Sequence, residues 1–191
     1  MDRFEEVLEF WLETCSEKDW YQSTPELDAD ISTRFQELWE AARRGELEAW
    51  ALSPRGALAF LILTDQFSRN MFRGEATAFA TDAQARAVAK KAIERGFDLQ
   101  IDGPVRQFFY LPLEHSECLS DQDRAVRLIA TRFESEQTLL HARAHREIIR
   151  QFGRFPFRNK ALGRTGTTQE DAFMTAGGYG TFVETLAADA A

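Results

Sequence analysis

The stretch DRFEEVLEFWLETC, residues 2–15, mixes apolar and charged side chains in a pattern that decides the fold class. Its apolar residues recur at the intervals found on one face of an amphipathic α-helix. Asp2 stands where an N-cap is expected, because its carboxylate can accept hydrogen bonds from the first free backbone amides. The stretch therefore predicts an amphipathic helix with this apolar stripe: Phe4, Val7, Leu8, Trp11, Leu12 and Cys15.

The same helical periodicity continues along most of the chain. Further apolar stripes begin after Pro25 and Ser53, and others follow as far as Phe152. No stretch has the period-two alternation that is typical of a half-buried β-strand. Helices joined by short turns bury their apolar stripes by packing against each other in antiparallel hairpins. The sequence thus predicts an all-α protein of antiparallel helical hairpins, with about eight helices.

Several positions predict how individual helices begin, end and pack. Thr81 with Gln84, and Thr167 with Glu170, have the spacing of capping boxes. Gly153 follows the last stripe and predicts a helix end there. The predicted core consists of the inward-facing stripe residues Phe4, Leu8, Trp11, Ile31, Phe35, Leu58, Leu61, Ile62, Val88, Leu128 and Ile148.

Length and composition favour one globular domain. The 191 residues are 44% hydrophobic, and we expect a single domain over residues 1–191, with the tail after about residue 177 loosely ordered. The formal charge of −8 disfavours nucleic acid as a partner. The longest apolar run, residues 57–63, is far shorter than the ~20 residues that span a bilayer. With two cysteines and an acidic N-terminus, these features predict a cytoplasmic protein that does not bind membranes.

Three motifs occur in order along the chain. They are LTDQFSRNMFR at residues 63–73, FYLPLEHSE at 109–117 and FGRFPFRNKALGR at 152–164. Together they resemble the bacterial family known as domain of unknown function 924, and the resemblance covers nearly the whole chain. It implies a tetratricopeptide-like, right-handed array of helices, without an established activity. The family usually has His between Pro and Arg in the last motif, where this chain has Phe157, so no role that needs that histidine applies here.

Positive charge is concentrated in and around the last motif. Between Ile148 and Gln169 there are five basic residues and no acidic residue. Guanidinium groups bind carboxylates and phosphates through two parallel hydrogen bonds, so converging arginines would form an anion site. Alternatively, they pair with internal acids such as Asp65 and hold the loops in place. The arginines concerned, including two from the first motif, are Arg69, Arg73, Arg154, Arg158 and Arg164.

Other polar residues of the same motifs complete the candidate ligand site. Asp65, Gln66 and Tyr110 lie within the first two motifs, and Asn70 and Asn159 each follow an arginine. An asparagine amide can contact a ligand directly. Asparagine also caps helix ends and tolerates the left-handed backbone, so a structural role is the alternative for both.

Histidines supply the candidate acid/base residues. His115 and Glu117 follow Pro112 in a predicted turn, where a nearby carboxylate favours the charged imidazole. Together with His145 they are the candidate catalytic residues, and the alternative is a buried histidine that orients the turn. His141 and His145 share a helix face at metal-ligand spacing. The sequence sets no third ligand, so we expect no metal.

Two functional interpretations follow. The first is a binding module whose arginine-rich pocket holds an anionic small molecule or an acidic peptide or protein partner. The second is an enzyme that acts on a small anionic substrate, with His115, Glu117 and His145 moving a proton. Because the sequence has no glycine-rich phosphate loop, we expect no cofactor. Both interpretations predict that the end of the third helix, the His115 turn and the loop 154–164 meet in space.

Overall fold

The computed structural model describes residues 3–189, which are mostly helical, and this confirms the all-α fold class. No β-strand and no helix long and apolar enough to cross a membrane occurs in that range. Asp2, predicted as an N-cap, lies outside the described residues. Ten α-helices lie within residues 3–189, close to the predicted number: α1 Arg3–Leu8, α2 Pro25–Arg43, α3 Pro54–Leu61, α4 Ser68–Met71, α5 Asp82–Glu94, α6 Leu111–Glu114, α7 Leu119–Arg132, α8 Glu136–Phe152, α9 Thr168–Thr175 and α10 Gly178–Asp189. The tetratricopeptide-like arrangement of these helices stays a prediction.

Two π-helical segments interrupt this α-helical pattern. One follows α1, and the other joins α3 to α4, so that the backbone is helical from Pro54 to Met71 without a break. Such π turns hold one residue more than an α turn and often lie at functional sites. The π segments are Glu9–Thr14 and Ile62–Phe67, and the 3₁₀ segments are Glu48–Leu52, Ala76–Phe79, Asp98–Gln100, Pro104–Phe109 and Pro156–Arg158.

The chain divides into two compact units. The first ends at Pro112 and the second begins at Leu113. This division falls inside the short helix α6, so no linker composition marks it in the sequence. The expectation of a single domain over residues 1–191 stays a prediction.

The first unit is built around aromatic side chains. α2 begins at Pro25, where the hydroxyl of Thr24 caps the helix by accepting a hydrogen bond from a backbone amide. Phe67 lies with its ring centroid 5.2 Å from Trp11 and 4.9 Å from Phe35. All three aromatic side chains are buried, which joins the π segments and α2 in one apolar core.

The second unit is built on the helical hairpin of α7 and α8. Residues 133–135 connect these two helices, which pack against each other. Gly153 ends α8 with a left-handed backbone, φ 69°, as the sequence predicts. Beyond it, Phe155 packs with Ile148 and Ile149 of α8 in a buried apolar cluster.

The segment after residue 177 forms α10, and the expectation that this tail is loosely ordered stays a prediction. α10 packs on α8, and Tyr179 and Phe182 lie against the apolar cluster of the second unit. Burial of these aromatic rings supplies the stabilisation that a polar tail would lack.

Burial of the predicted core is confirmed at nine of the eleven positions. The exceptions are Phe4 and Val88, which are only half-buried. Phe4 packs edge to face against Trp50, with ring centroids 5.9 Å apart. Val88 lies on the wall of an open cleft, which a helical periodicity cannot distinguish from a filled core.

Candidate functional site

Four titratable side chains lie together in the second unit. His145 of α8 faces Glu114, the last residue of α6, with 3.6 Å between Nδ1 and Oε2. Tyr179 of α10 covers the imidazole of His145, with ring centroids 4.8 Å apart and planes inclined by 30°. The hydroxyl of Tyr179 is 2.6 Å from Nδ1 of His141. Because His141 and His145 are one helical turn apart, one tyrosine contacts both imidazoles.

The first turn of α7 holds the backbone around Glu114 in place. The side-chain amide of Gln122 donates hydrogen bonds to the carbonyls of Glu114 (2.5 Å) and Ser116 (2.7 Å). The hydroxyl of Ser116 in turn donates to Asp121 at 2.9 Å. These bonds lie within the EHSE part of the second motif and fix the direction in which Glu114 points.

Burial leaves the pair of Glu114 and His145 without full hydrogen bonding. Glu114 is 1% exposed and the His145 side chain 15% exposed. Oε1 of Glu114 and Nδ1 of His145 are buried and have no hydrogen-bond partner. Such buried, unsatisfied polar atoms are uncommon in folded proteins and call for an explanation.

Electrostatics keep the imidazole of His145 neutral. Burial lowers its pKa below the ordinary value of 6.5; Glu114 opposes this, and the charges of His115 and Arg158 lower it further. Burial also raises the pKa of Tyr179, and the negative charge of Glu114 adds to this rise. At neutral pH the site therefore contains an uncharged base, a carboxyl group and a protonated phenol.

Aromatic and cationic groups surround His145 on its other sides. His115 lies edge to face with it at 6.0 Å, and Phe155 does so at 5.5 Å. The guanidinium of Arg158 lies over the ring of Phe155, 4.5 Å from its centroid. Phe157 stacks on Phe155, with ring centroids 5.2 Å apart.

Two arginines of the last motif are paired with internal carboxylates. Arg154 binds Glu170 through two bonds of 2.6 and 2.8 Å, and it donates a third to the carbonyl of Thr165. Arg164 binds Glu117 through two bonds of 2.9 and 2.8 Å. Both arrangements are those expected of structural clamps that hold the loop between α8 and α9.

Glu117 is held in this clamp. Besides the bonds from Arg164, it accepts a hydrogen bond of 3.0 Å from the backbone amide of Phe155. Burial acts to raise the pKa of Glu117, but the bonds from Arg164 and Phe155 outweigh it, and the pKa is lowered. Of the two carboxyl groups of the EHSE turn, Glu114 is therefore the one that faces a histidine.

Two further polar residues of the last motif are buried. Arg158 is 7% exposed and Asn159 is 8% exposed. Oδ1 of Asn159 is buried without a hydrogen-bond partner. No group of three or more His, Cys, Asp and Glu within the described part of the chain is arranged to hold a metal ion.

In the first unit, Arg69 is the centre of one polar network. It pairs with Asp82 at 2.8 Å and lies 3.8 Å from Asp65, which is itself 1% exposed. It also donates to the carbonyl of Ala78. The side-chain amide of Gln66 donates to Asp65 at 2.6 Å. These contacts tie the π segment Ile62–Phe67 to the start of α5.

A second network of the first unit centres on Asp28 of α2. Arg73 donates to Asp28 through two bonds of 2.9 and 3.1 Å, and Asn70 donates through one of 2.8 Å. Tyr110 lies elsewhere in the unit, fully buried, where its hydroxyl donates to Asp98 at 2.8 Å. Each of these candidate residues thus has an internal partner.

The structure places the predicted site residues in two groups, one in each unit. The prediction that Arg69, His115 and Arg158 share one site stays a prediction. Sequence reasoning missed Glu114 and Tyr179 as members of the histidine cluster. Glu114 stands directly before His115 in the EHSE stretch, and this carboxyl group next to a histidine was a usable signal. Tyr179 gave no such signal, because the segment after residue 177 was expected to be a loosely ordered tail.

Fold and site together define an all-helical protein with a buried histidine–carboxylate pair. Residues 7–178 match the family described as bacterial protein of unknown function, DUF924, and the chain belongs to this family. A similar solved structure is that of a protein of unknown function from Agrobacterium tumefaciens. The two chains are 37% identical, with a TM-score of 0.85, and the match covers 90% of this chain and 96% of the other. No curated protein matches the chain.

Proposed function

We propose that the second unit is a proton-transfer site for a small anionic molecule, with Glu114 and His145 as a catalytic pair. One observation carries this proposal: Oε1 of Glu114 and Nδ1 of His145 are buried without hydrogen-bond partners, although Nδ1 lies 3.6 Å from Oε2 of the same carboxyl group. A purely structural pair gains stability by satisfying such atoms. A titratable pair kept unsatisfied is typical of a functional site.

The geometry suggests a role for each member of the pair. Glu114 faces Nδ1 of His145, which leaves Nε2 as the nitrogen that meets a substrate proton. The lowered pKa keeps this nitrogen unprotonated at neutral pH, as a general base requires. When His145 takes up a proton, the nearby carboxylate of Glu114 stabilises the imidazolium, as in other histidine–carboxylate pairs.

The charge beside the pair favours an anionic substrate. Arg158 adds a positive potential at His145, the smallest of the causes that lower the imidazole pKa after burial and His115. The same potential attracts a carboxylate or a phosphate ester. Tyr179 covers His145 and keeps a protonated phenol. When Nδ1 of His141 carries a proton, the Tyr179 hydroxyl accepts that bond and can donate its own proton to the bound molecule.

The alternative of an arginine-rich binding module has less support. Arg154 and Arg164 would be its main anion contacts, yet both are matched to internal carboxylates. Binding a ligand there would first break two bidentate ion pairs. This alternative predicts that the protein binds an anion but does not consume it.

A turnover experiment tests the proposal. The protein is incubated with a panel of small carboxylates and phosphate esters, and consumption is followed by mass spectrometry. We expect at least one compound to be consumed, and His145→Gln to lower its rate by about 10²–10⁴-fold, the usual contribution of a general base. Glu114→Gln should lower the rate as well, because the imidazolium loses its counter-charge.

Arg143→Gln provides the matched control, since Arg143 is exposed on the same helix. It should leave the rate unchanged. Equal consumption by the wild type and His145→Gln would exclude His145 as the base. Binding of a compound by the wild type without any consumption would favour the binding module instead.

A further inference from the structure

An open cleft of about 570 Å³ lies in the first unit, and none of its lining residues belongs to the polar networks described above. The end of α2, the 3₁₀ segment Glu48–Leu52 and α5 form its walls. Pockets for small ligands commonly have volumes of roughly 300–1,000 Å³. The cleft therefore has the size of a binding site for a small molecule.

Small side chains keep this cleft open. Ala42 and Ala87 line it from α2 and α5, and Phe60 contributes an aromatic ring. A protein interior fills such space with larger side chains, so a row of alanines facing a cleft preserves volume that packing would otherwise remove. Leu52, also in the lining, is 68% exposed. The lining thus presents apolar surface to the space it encloses.

The walls of the cleft are fixed by tight contacts. Gly56 of α3 lies so close to the carbonyl oxygen of Trp50 that an added methyl group would collide with it, which places the 3₁₀ segment firmly against α3. The side-chain amide of Gln84 donates hydrogen bonds of 3.2 Å to the carbonyls of Ala42 and Arg43, and these bonds tie α5 to the end of α2. The cleft is therefore preformed, which lowers the cost of binding.

Charged groups of the lining are predominantly positive. Lys91 lies in the last turn of α5, and Arg95 directly follows that helix. Glu48 is the only acidic residue among the lining residues. Arg95 makes one long hydrogen bond, 3.4 Å, to the carbonyl of Ala51. The ammonium of Lys91 is exposed and makes no ion pair within residues 3–189. Two cations beside an apolar cleft complement a ligand that has an anionic head and an apolar body.

We propose that this cleft binds a small amphiphilic anion, such as a medium-chain carboxylate. The apolar chain lies along the alanines and Phe60, and the carboxylate lies at Lys91 and Arg95. The cleft shares no residue with the histidine cluster of the second unit, so failure of the proposed proton transfer would not affect this proposal.

A binding experiment with three probes of the same ten-carbon chain tests this proposal: decanoate, decanol and decyltrimethylammonium. Each probe is added below its micelle concentration. Shifts of backbone amide signals in NMR spectra measure its binding. We expect decanoate to bind most tightly and to shift amides of the cleft around Ala87. Lys91→Glu with Arg95→Glu should weaken decanoate by about fivefold for each cation, as for partly exposed charge pairs, and leave decanol unchanged.

Ala87→Phe fills the cleft and should weaken decanoate and decanol alike. Lys160→Glu, which makes the charge change of one of these two substitutions outside the cleft, is the control and should leave all three probes unaffected. Circular dichroism establishes that each variant is folded. Lys91 and Arg95 are exposed, so their substitution removes no side chain from the apolar core. Equal binding of decanoate and decyltrimethylammonium, or no decanoate shifts in the cleft, would overturn the proposal.

Discussion

At the scale of single residues, His145 makes stability depend on pH in a defined window. Its pKa in the folded protein is lowered from 6.5, so the unfolded chain binds the proton more readily. Stability is then fully present above about pH 6.5 and decreases as the pH falls toward the lowered pKa. We predict that His145→Gln, which cannot be protonated, loses less stability than the wild type between pH 7 and pH 5.

Urea unfolding at several pH values measures this difference as a smaller slope for the variant. The lowered pKa values of Glu117 and Glu170 do not interfere, because their contributions are lost only as the pH falls below about 4.5, the ordinary carboxyl value. Arg143→Gln should retain the wild-type slope. A variant slope equal to that of the wild type would mean that His145 is not neutral in the fold.

Arg164 provides a second prediction for a single residue. Arg164→Met removes two charge-assisted hydrogen bonds and leaves the partly buried carboxylate of Glu117 with the amide of Phe155 alone. We expect the free energy of unfolding to fall by about 1.5–3 kcal/mol, as for other hydrogen bonds to charged groups. Denaturant titration measures the change, with Arg143→Met as the control. An unchanged midpoint would show that the clamp contributes nothing to the fold.

At the scale of helices, Gly153 sets the end of α8. Its φ of 69° lies in the left-handed region, and nothing lies within 4 Å of the position that a Cβ atom would occupy. Gly153→Ala therefore strains the backbone without creating a clash and should cost about 1–2 kcal/mol. Gly153→Asn should cost less, because asparagine tolerates this conformation. Thermal unfolding of the two variants gives the order, and equal losses would contradict this explanation.

Local sequence predicts helix ends only where the partners are local. Thr167 and Glu170 form the predicted capping box at the start of α9. Thr81 and Gln84 have equivalent spacing and form none. Thr81 instead donates to the carbonyl of Thr64 and accepts from the indole of Trp39. These partners come from other helices, so no reading of the capping motif alone could identify them.

Contacts between residues that are distant in sequence are also the part of the candidate site that the sequence does not predict. Composition and periodicity predict the all-helical class and most of the core, because each helix signals its own buried face. The second motif identifies His115 as a candidate residue, and helical spacing draws attention to His145, which lies outside the three motifs. The pairing of Glu114 with His145 brings together residues separated by the whole of α7, and charge spacing along the chain contains no information about that contact.

At the scale of the whole molecule, the division at Pro112 leads to a prediction about cooperativity. It falls within α6, and no flexible linker lies there. We expect a single thermal transition, as for one domain, with equal calorimetric and van't Hoff enthalpies. Differential scanning calorimetry measures both values. Two resolved transitions would show that the units unfold independently and that the single-domain prediction is wrong.

The π segment Ile62–Phe67 decides where the gene could lose one codon without disturbing the ion pairs that follow. Deleting one codon there would restore a regular α turn, so the residues on either side would keep their directions. The same deletion in the regular turns of α3 would rotate the rest of the helix by about 100°, the turn of one residue. Arg69 would then lose Asp82, and Arg73 would lose Asp28. We therefore expect one-residue deletions to be tolerated within the π segment and not in α3.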